Sequence, residues 1–186
     1  MKTAKVNGVK IPSEARKFEL ERLVRFYASH GFGTDEIRKC LPDLEEKALE
    51  QAIGAKLLLD QAALLDMPVS EAEIDAEVEK VVSQVGGREN YAKALEAQRL
   101  DETSFRRELA KGVRVNKLVE KACSHLDDPS EEDVAGFFTN NPGSYPGKTL
   151  VDVHDQIKEL LRHDARGRAL ETYVAELRAK AEIEYL

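Results

Sequence analysis

Tryptophan is absent from this sequence, aromatic residues make up only 6% of it, and cysteine occurs twice in 186 residues. The two cysteines, Cys40 and Cys123, form no C-x-x-C pair and no cluster with histidine, so a zinc site is not expected. We expect them to be buried or half-buried thiols. No run of about 18 or more apolar residues occurs, so no segment is predicted to span a membrane.

The motifs of phosphate binding and of metal catalysis are missing as well. Gly86-Gly87 ends a predicted helix and does not join a strand to a helix, as a phosphate-binding loop would. The histidines are scattered, and His154 and His163 do not have the i, i+4 spacing of a helical metal pair. No nucleophile–base constellation is visible. We therefore expect no catalytic residue, no metal and no cofactor, and we do not expect this chain to be an enzyme.

The formal net charge is −7, which argues against a general nucleic-acid binder. One predicted helix nevertheless has a basic side, formed by Arg106, Arg107, Lys111, Arg114, Lys117 and Lys121. A solvated helix face is the favoured interpretation in so acidic a chain. A helical adaptor or a DNA-binding scaffold that uses this face stays open as an alternative.

The chain begins with a predicted hairpin over Ala4–Ile11. Asn7-Gly8 supplies the turn, because both residue types tolerate the positive φ angles of a two-residue hairpin loop. Two short strands are marginal alone, and Ile183–Leu186 is predicted to add a third. The two ends of the chain are therefore expected to meet in one small sheet. Ser13 is predicted to cap the helix that follows Pro12.

Helical patterns fill most of the chain between these ends, and alanine, leucine, glutamate and lysine are the residues that favour helix. The apolar side of the first helix is assigned to Phe18, Leu20, Leu23, Val24 and Tyr27. Thr34 is predicted to cap a short helix that Pro42 ends. The predicted helices span Glu14–Ser29, Asp35–Cys40, Leu44–Asp66, Glu71–Val85, Arg88–Gln98, Glu102–His125, Glu131–Thr139 and Leu150–Ala179, with caps at Ser70, Asp101 and Ser130.

The last 36 residues, 151–186, are expected to organise the fold. Their apolar residues follow helical spacing and form one stripe: Val153, Ile157, Leu160, Leu161, Ala165, Ala169, Leu170, Tyr173, Val174 and Leu177. Turn-forming residues at 140–149 separate this closing helix from residues 1–139. We predict one mainly α-helical module, 1–186, built from 1–139 and 150–186, with a small β patch that joins its termini.

Several aromatic residues fall near predicted helix ends and loops: Phe26, Tyr27, Phe32, Phe137, Phe138 and Tyr145. One interpretation is that they pack the edges of the core. The other is that they line an open groove for extended apolar peptide, and on that basis they are the candidate binding residues.

The order of several short motifs resembles the SurA-like chaperones that contain parvulin-type peptidyl-prolyl isomerase domains. Val6–Ile11 is similar to the family's VNG-x-x-I opening, and Pro68–Asp75 to its VSEAEID helix start. The remaining matches are Asp101–Leu109, Phe137–Tyr145 with its NP pair, Val153–Leu161 and Ala181–Leu186. Together they cover nearly the whole chain.

In that family an isomerase domain sits between the NP segment and the closing helix. Here Pro146-Gly147-Lys148 stands at that place, and the His-Ile-Leu opening and Gly-rich stretch of a parvulin domain are missing. The resemblance therefore implies the chaperone module without its catalytic insert. Either the isomerase was removed by design, or this is a natural relative without one.

We predict that the chain is a holdase, a chaperone that keeps unfolded or extended client polypeptides in an apolar groove. By resemblance its setting is extracytoplasmic, in the periplasm, with outer-membrane or secreted clients. Met1-Lys2-Thr3-Ala4 has no apolar signal core, so a cytosolic setting stays open. The alternative function is the chaperone part of an isomerase whose catalytic domain is missing. The chain is expected to be a monomer or a domain-swapped homodimer.

Overall fold

The computed structural model describes residues 2–186. Within that range the chain forms seven α-helices and three short strands, so the predicted mainly α-helical fold with a small β patch is confirmed. In chain order the elements are β1 (Ala4–Val6), β2 (Val9–Lys10), α1 (Ser13–Ser29), α2 (Thr34–Leu64), α3 (Glu71–Gln84), α4 (Arg88–Ala97), α5 (Glu102–Ala122), α6 (Glu131–Asn140), α7 (Leu150–Lys180) and β3 (Ile183–Tyr185).

The two ends of the chain meet in one antiparallel sheet with the strand order β2-β1-β3. Asn7 and Gly8 have φ angles of 50° and 77°, as the predicted two-residue turn requires. On the other side of β1, Val6 pairs with Ile183. The backbone N–H of Asn7 also donates to the carbonyl oxygen of Glu182 at 2.8 Å. Pairing of the closing strand with the hairpin is therefore as predicted.

The end of α7 and β3 also contact α2 through polar side chains. The hydroxyl of Tyr185 donates to Glu50 Oε1 at 2.9 Å, and Arg178 forms an ion pair with Glu50 Oε2 at 2.5 Å. The Glu50 carboxylate on α2 thus binds side chains of both β3 and the last turns of α7.

The segment predicted as two helices separated at Pro42 is one continuous helix, α2, and the predicted break was wrong. Proline removes one helical hydrogen bond and costs roughly 3 kcal/mol in a helix interior. Here α2 packs along α1 and continues into a deeply buried stretch, which offsets that cost. Thr34 is not the cap either, because Gly33 occupies the N-cap position and donates its backbone N–H to Glu36 Oε2 at 2.8 Å.

Two expectations for α1 were also wrong. Pro12, not Ser13, occupies the N-cap position, and the hydroxyl of Ser13 donates to the carboxylate of Glu14. Phe18 does not face inward, because 59% of it is exposed. The side that α1 turns inward is half-buried and consists of Leu20, Leu23, Val24 and Tyr27.

The predicted caps at Ser70, Asp101 and Ser130 are present. Ser70 and Glu73 form a reciprocal capping box, and the N–H of Ser104 donates to Asp101 Oδ1 at 2.9 Å. The helices that follow Ser70 enclose a buried cluster of Ile74, Val78, Val82 and Tyr91, with the ring of Phe105 edge-on to Tyr91 at 5.6 Å.

The chain divides into two compact units. The first unit comprises the described residues 2–118 together with 176–186, and the second comprises 119–175. In the second unit Val134 of α6 packs with Val153 and Ile157 of α7, and all three are almost completely buried. The predicted stripe on α7 is less continuous than expected, since Leu160 is 39% exposed.

Candidate functional site

Three of the six candidate aromatic residues come together where α1 turns into α2. Phe26 lies 5.9 Å from Tyr27, and Tyr27 lies 5.0 Å from Phe32, both edge-on. Gly31, with a φ of 89°, reverses the chain, and the N–H of Phe32 then donates to the carbonyl of Tyr27 at 3.2 Å. We call Phe26, Tyr27 and Phe32 the tip cluster.

Two of the three rings in the tip cluster are open to water, and Tyr27 is half-buried. Phe26 is 56% exposed and Phe32 is 44% exposed. Phe18, about two turns earlier on α1, is exposed to a similar degree. Residues 18 and 26 lie about 12 Å apart along the helix axis. A group of exposed apolar side chains marks an interaction site more often than a single exposed one does.

Phe18 was missed by the sequence analysis, but the helical period contains the signal. Leu20, Leu23, Val24 and Tyr27 form one stripe, and at about 100° per residue Phe18 lies nearly opposite Leu20. Its position on the outer side of α1 could therefore have been read from the spacing alone.

The other three candidates form a second group, which we call the core-edge cluster: Phe137, Phe138 and Tyr145. Phe138 and Tyr145 stack at 6.0 Å, and all three pack over Val134 and its buried neighbours in the second unit. The side-chain amide of Asn141 donates to the carbonyl of Phe137 at 2.8 Å and fixes the end of α6. These rings are half-buried, so they offer less surface to a ligand than the tip cluster does.

The basic side of α5 is partly neutralised by neighbouring helices. Arg106 pairs with Glu71 at 2.8 Å and with Asp75 at 2.6 Å, both on α3. Lys117 pairs with Glu73 at 2.6 Å. Because Lys117 and Ser70 donate hydrogen bonds to it, the Glu73 carboxylate has its pKa lowered to about 2. Much of the positive charge that a nucleic-acid surface would need is already matched within the first unit.

A second ionic network joins α6 to α7. His154 Nε2 lies 2.7 Å from Glu131 Oε2, and its Nδ1 lies 3.0 Å from Asp155 Oδ1. Hydrogen bonds that the His154 ring donates to the carboxylates of Asp155 and Glu131 raise the pKa of His154 above its ordinary value. The hydrogen bond from His154 in turn lowers the pKa of Glu131. Arg162 adds a two-pronged contact to Asp128 at 2.9 and 3.0 Å.

Across residues 2–186 no three His, Cys, Asp or Glu side chains are grouped closely enough to hold a metal ion. Over the same range, no helix combines the length and the apolarity that crossing a membrane requires. Both cysteines are unpaired thiols, and Cys123 is buried as expected whereas Cys40 is exposed.

The whole chain shares its fold with a SurA-like chaperone. A chain from the structural study of two such chaperones of Campylobacter jejuni, the virulence factor PEB4 and the periplasmic protein Cj1289, superposes with a TM-score of 0.60. The match covers 99% of this chain and 98% of that one at 17% sequence identity. At that identity the likeness establishes the fold.

The family model described as the SurA-like N-terminal domain matches residues 1–119. The chain therefore belongs to the SurA-like N-terminal domain family, which confirms the resemblance drawn from its short motifs. The region that matches is the non-catalytic N-terminal domain of that family.

Two kinds of curated relative point the same way. NifM of Azotobacter vinelandii, provisionally named a peptidyl-prolyl cis-trans isomerase, is 28% identical over 158 residues, which cover 77% of this chain and 54% of NifM. Chaperone SurA of Methylobacillus flagellatus is 26% identical over 97 residues, covering 52% of this chain and 22% of that protein. The chain spans about half the length of the NifM relatives it matches. Together these matches support a chaperone-type or isomerase-associated role.

Proposed function

We propose that this chain is a holdase module that binds unfolded or extended polypeptides by low-specificity apolar contact. The observation that carries the proposal is the exposed aromatic surface of the α1–α2 hairpin. Phe18, Phe26 and Phe32 are each at least 44% exposed, on helices that pack against each other. The membership of the SurA-like family and the chaperone fold support the same role.

The physical mechanism is the burial of apolar surface from both partners. Covering an exposed phenylalanine removes apolar area from water at roughly 25 cal/mol per Å². Ordering a flexible client opposes this gain, so affinity is modest and release is easy. Because the contact needs no particular hydrogen-bond pattern, many client sequences fit. We assign the first contact with a client to the tip cluster. A role in client binding stays a prediction for the core-edge cluster, Phe137, Phe138 and Tyr145.

Suppression of aggregation tests this proposal directly. We expect the chain to slow light scattering by a chemically unfolded client diluted into buffer. The double variant Phe26→Ser/Phe32→Ser should lose most of this effect. Val151→Ser is the matched control, because Val151 is 87% exposed but lies outside the tip cluster. Equal protection by the two variants would remove the tip cluster from the mechanism.

We further propose that the chain does not isomerise proline by itself and that residues 140–149 mark the place where relatives accommodate a catalytic domain. Here the segment forms a short helical turn at Pro142–Ser144, with Tyr145 folded back onto Phe138. A tetrapeptide isomerisation assay should give the uncatalysed rate. A rate above that background would show that the chain has an activity of its own.

We propose an extracytoplasmic setting for this chain. The proposal is supported by its structural similarity to a chain from a study of two chaperones, one of which is described as periplasmic. Fractionation of cells that express the full gene from its own promoter tests this. Recovery of the protein with cytosolic markers would overturn it.

A further inference from the structure

A cavity of about 330 Å³ lies between α2 and α5 in the first unit. Its lining combines the apolar side chains of Leu59, Ala62 and Ala63 with the charged side chains of Lys56, Asp60, Lys111 and Arg114. Three cations and one carboxylate therefore line a cavity in a chain whose net charge is −7.

Arg114 is the cation in this cavity for which residues 2–186 supply no ion-pair or hydrogen-bond partner. Lys56 forms an ion pair with Asp60, and Lys111 pairs with Glu108 at 2.7 Å. The guanidinium of Arg114 is half-buried, and its Nε is shielded from solvent without a hydrogen-bond acceptor among residues 2–186. Leaving a buried charged donor unsatisfied is costly. A carboxylate bound in the cavity beside this guanidinium would supply the opposite charge that Arg114 lacks among residues 2–186.

We propose that this cavity binds an acidic side chain of an extended client polypeptide, with the preceding apolar side chain resting on Leu59 and Ala63. The inference rests on the proposed holdase function and gives it a preferred client motif. A guanidinium and a carboxylate match in shape and charge, which makes this the strongest polar contact available to Arg114. The volume is at the lower end for ligand sites and suits one or two side chains.

The apolar residues that line the cavity favour a peptide over a nucleic acid as its ligand. Leu59 is 39% exposed beside the cations, so a ligand must cover an aliphatic surface as well as meet a positive charge. A phosphate backbone would satisfy only the charge. The pairing of Arg106 and Lys117 with α3 also leaves no continuous cationic track along α5.

Peptide binding by fluorescence anisotropy tests the proposal on the full chain. The probe is a labelled dodecapeptide of glycine and serine with a central Leu-Glu pair, acetylated and amidated at its ends. A second peptide replaces the glutamate by glutamine, and a third keeps glutamine but has a free terminal carboxylate. We expect the Leu-Glu peptide to bind about tenfold more tightly than the Leu-Gln peptide, as a buried charged hydrogen bond implies.

Arg114→Gln should abolish this difference, and Arg107→Gln is the matched control. Arg107 lies on the same helix, is exposed, and its replacement removes the same charge. Arg114→Gln deletes an unsatisfied donor, so its thermal midpoint should equal or exceed that of the parent chain. Should it fold poorly, Arg114→Lys retains the charge without the planar fork and should weaken the preference for glutamate.

Three results would overturn the proposal. Equal binding of the Leu-Glu and Leu-Gln peptides would exclude recognition of the acid, and equal losses in the two arginine variants would indicate general electrostatic attraction. Binding of the free-carboxylate peptide alone would assign the site to a chain end. In each case, aggregation suppression by the parent chain would leave the holdase function standing. Discrimination without suppression would reject the holdase function instead.

Discussion

The tip cluster and the core-edge cluster contain the same kinds of ring but differ in exposure, since two tip rings are exposed and all three core-edge rings are half-buried. At the tip, Phe26 and Phe32 remain 56% and 44% exposed. At the core edge, the rings lie over Val134, Val153 and Ile157, which are at most 1% exposed. Proximity to a helix end is common to both groups and does not decide how far a ring is exposed. The exposure of a ring depends on whether buried apolar residues of a second helix lie beneath it, as Val153 and Ile157 of α7 do at the core edge.

The largest expected effect on stability comes from the buried residues beneath the core-edge cluster. Ile157 is completely buried, and Ile157→Ala should lower the free energy of unfolding by about 2–5 kcal/mol through lost burial and a residual cavity. Urea unfolding followed by circular dichroism measures this. Val151→Ala, at an exposed site on the same helix, should change stability by less than about 0.5 kcal/mol. Equal effects at the two sites would contradict the packing described for α7.

A smaller effect is expected for the rings themselves at the core edge. Phe138→Ala should cost about 1–3 kcal/mol, because the ring is only half-buried and loses one stacked partner, Tyr145. Tyr145→Phe retains the stack and should stay close to the parent chain. If Phe138→Ala left stability unchanged but abolished client binding, the cluster would belong with the tip as a binding surface.

A pH-dependent effect should be confined to the second unit. The pKa of His154 is raised in the folded state by Asp155 and Glu131, so protonation favours folding. The added stability is complete below the ordinary histidine pKa of about 6.5 and is lost as pH rises through the higher folded value. Urea unfolding at pH 6 and pH 9 should show a decline that His154→Gln reduces. An unchanged decline in the variant would remove His154 as its source.

The smallest effect on stability is expected at the tip. Phe26→Ser/Phe32→Ser should change the free energy of unfolding by no more than about 0.5 kcal/mol per site, since neither ring is buried in the core. The same variant should lose most of its aggregation suppression, so stability and function separate here. A large loss of stability would show that the tip cluster is structural.

Features set by neighbouring residues were predictable from the sequence. The Asn7-Gly8 turn depends on two residues that tolerate positive φ, and the Ser70–Glu73 capping box depends on one helical turn. Pro42 is the instructive failure. Its local preference favours a break, but the burial of residues such as Ala48 and Ile53 further along α2 keeps the helix continuous.

The candidate site was only partly predictable for a related reason. The sequence placed Phe26, Tyr27 and Phe32 close together, but exposure depends on which helices cover them. Likewise, the basic residues of α5 looked equivalent until their partners were known. Arg106 is matched by Glu71, 35 positions away, whereas Arg114 has no partner in the described part of the chain. No local pattern encodes that difference.

The pairing of β1 with β3 has a consequence for how the protein is made. Lys5 contacts Glu184 across 179 positions of sequence, so the two strands leave the ribosome far apart in time. At about 5–20 residues per second, the hairpin waits on the order of 10 to 40 seconds for its third strand. During translation β1 therefore presents an open edge until β3 pairs with it, and that pairing closes a loop of 179 positions.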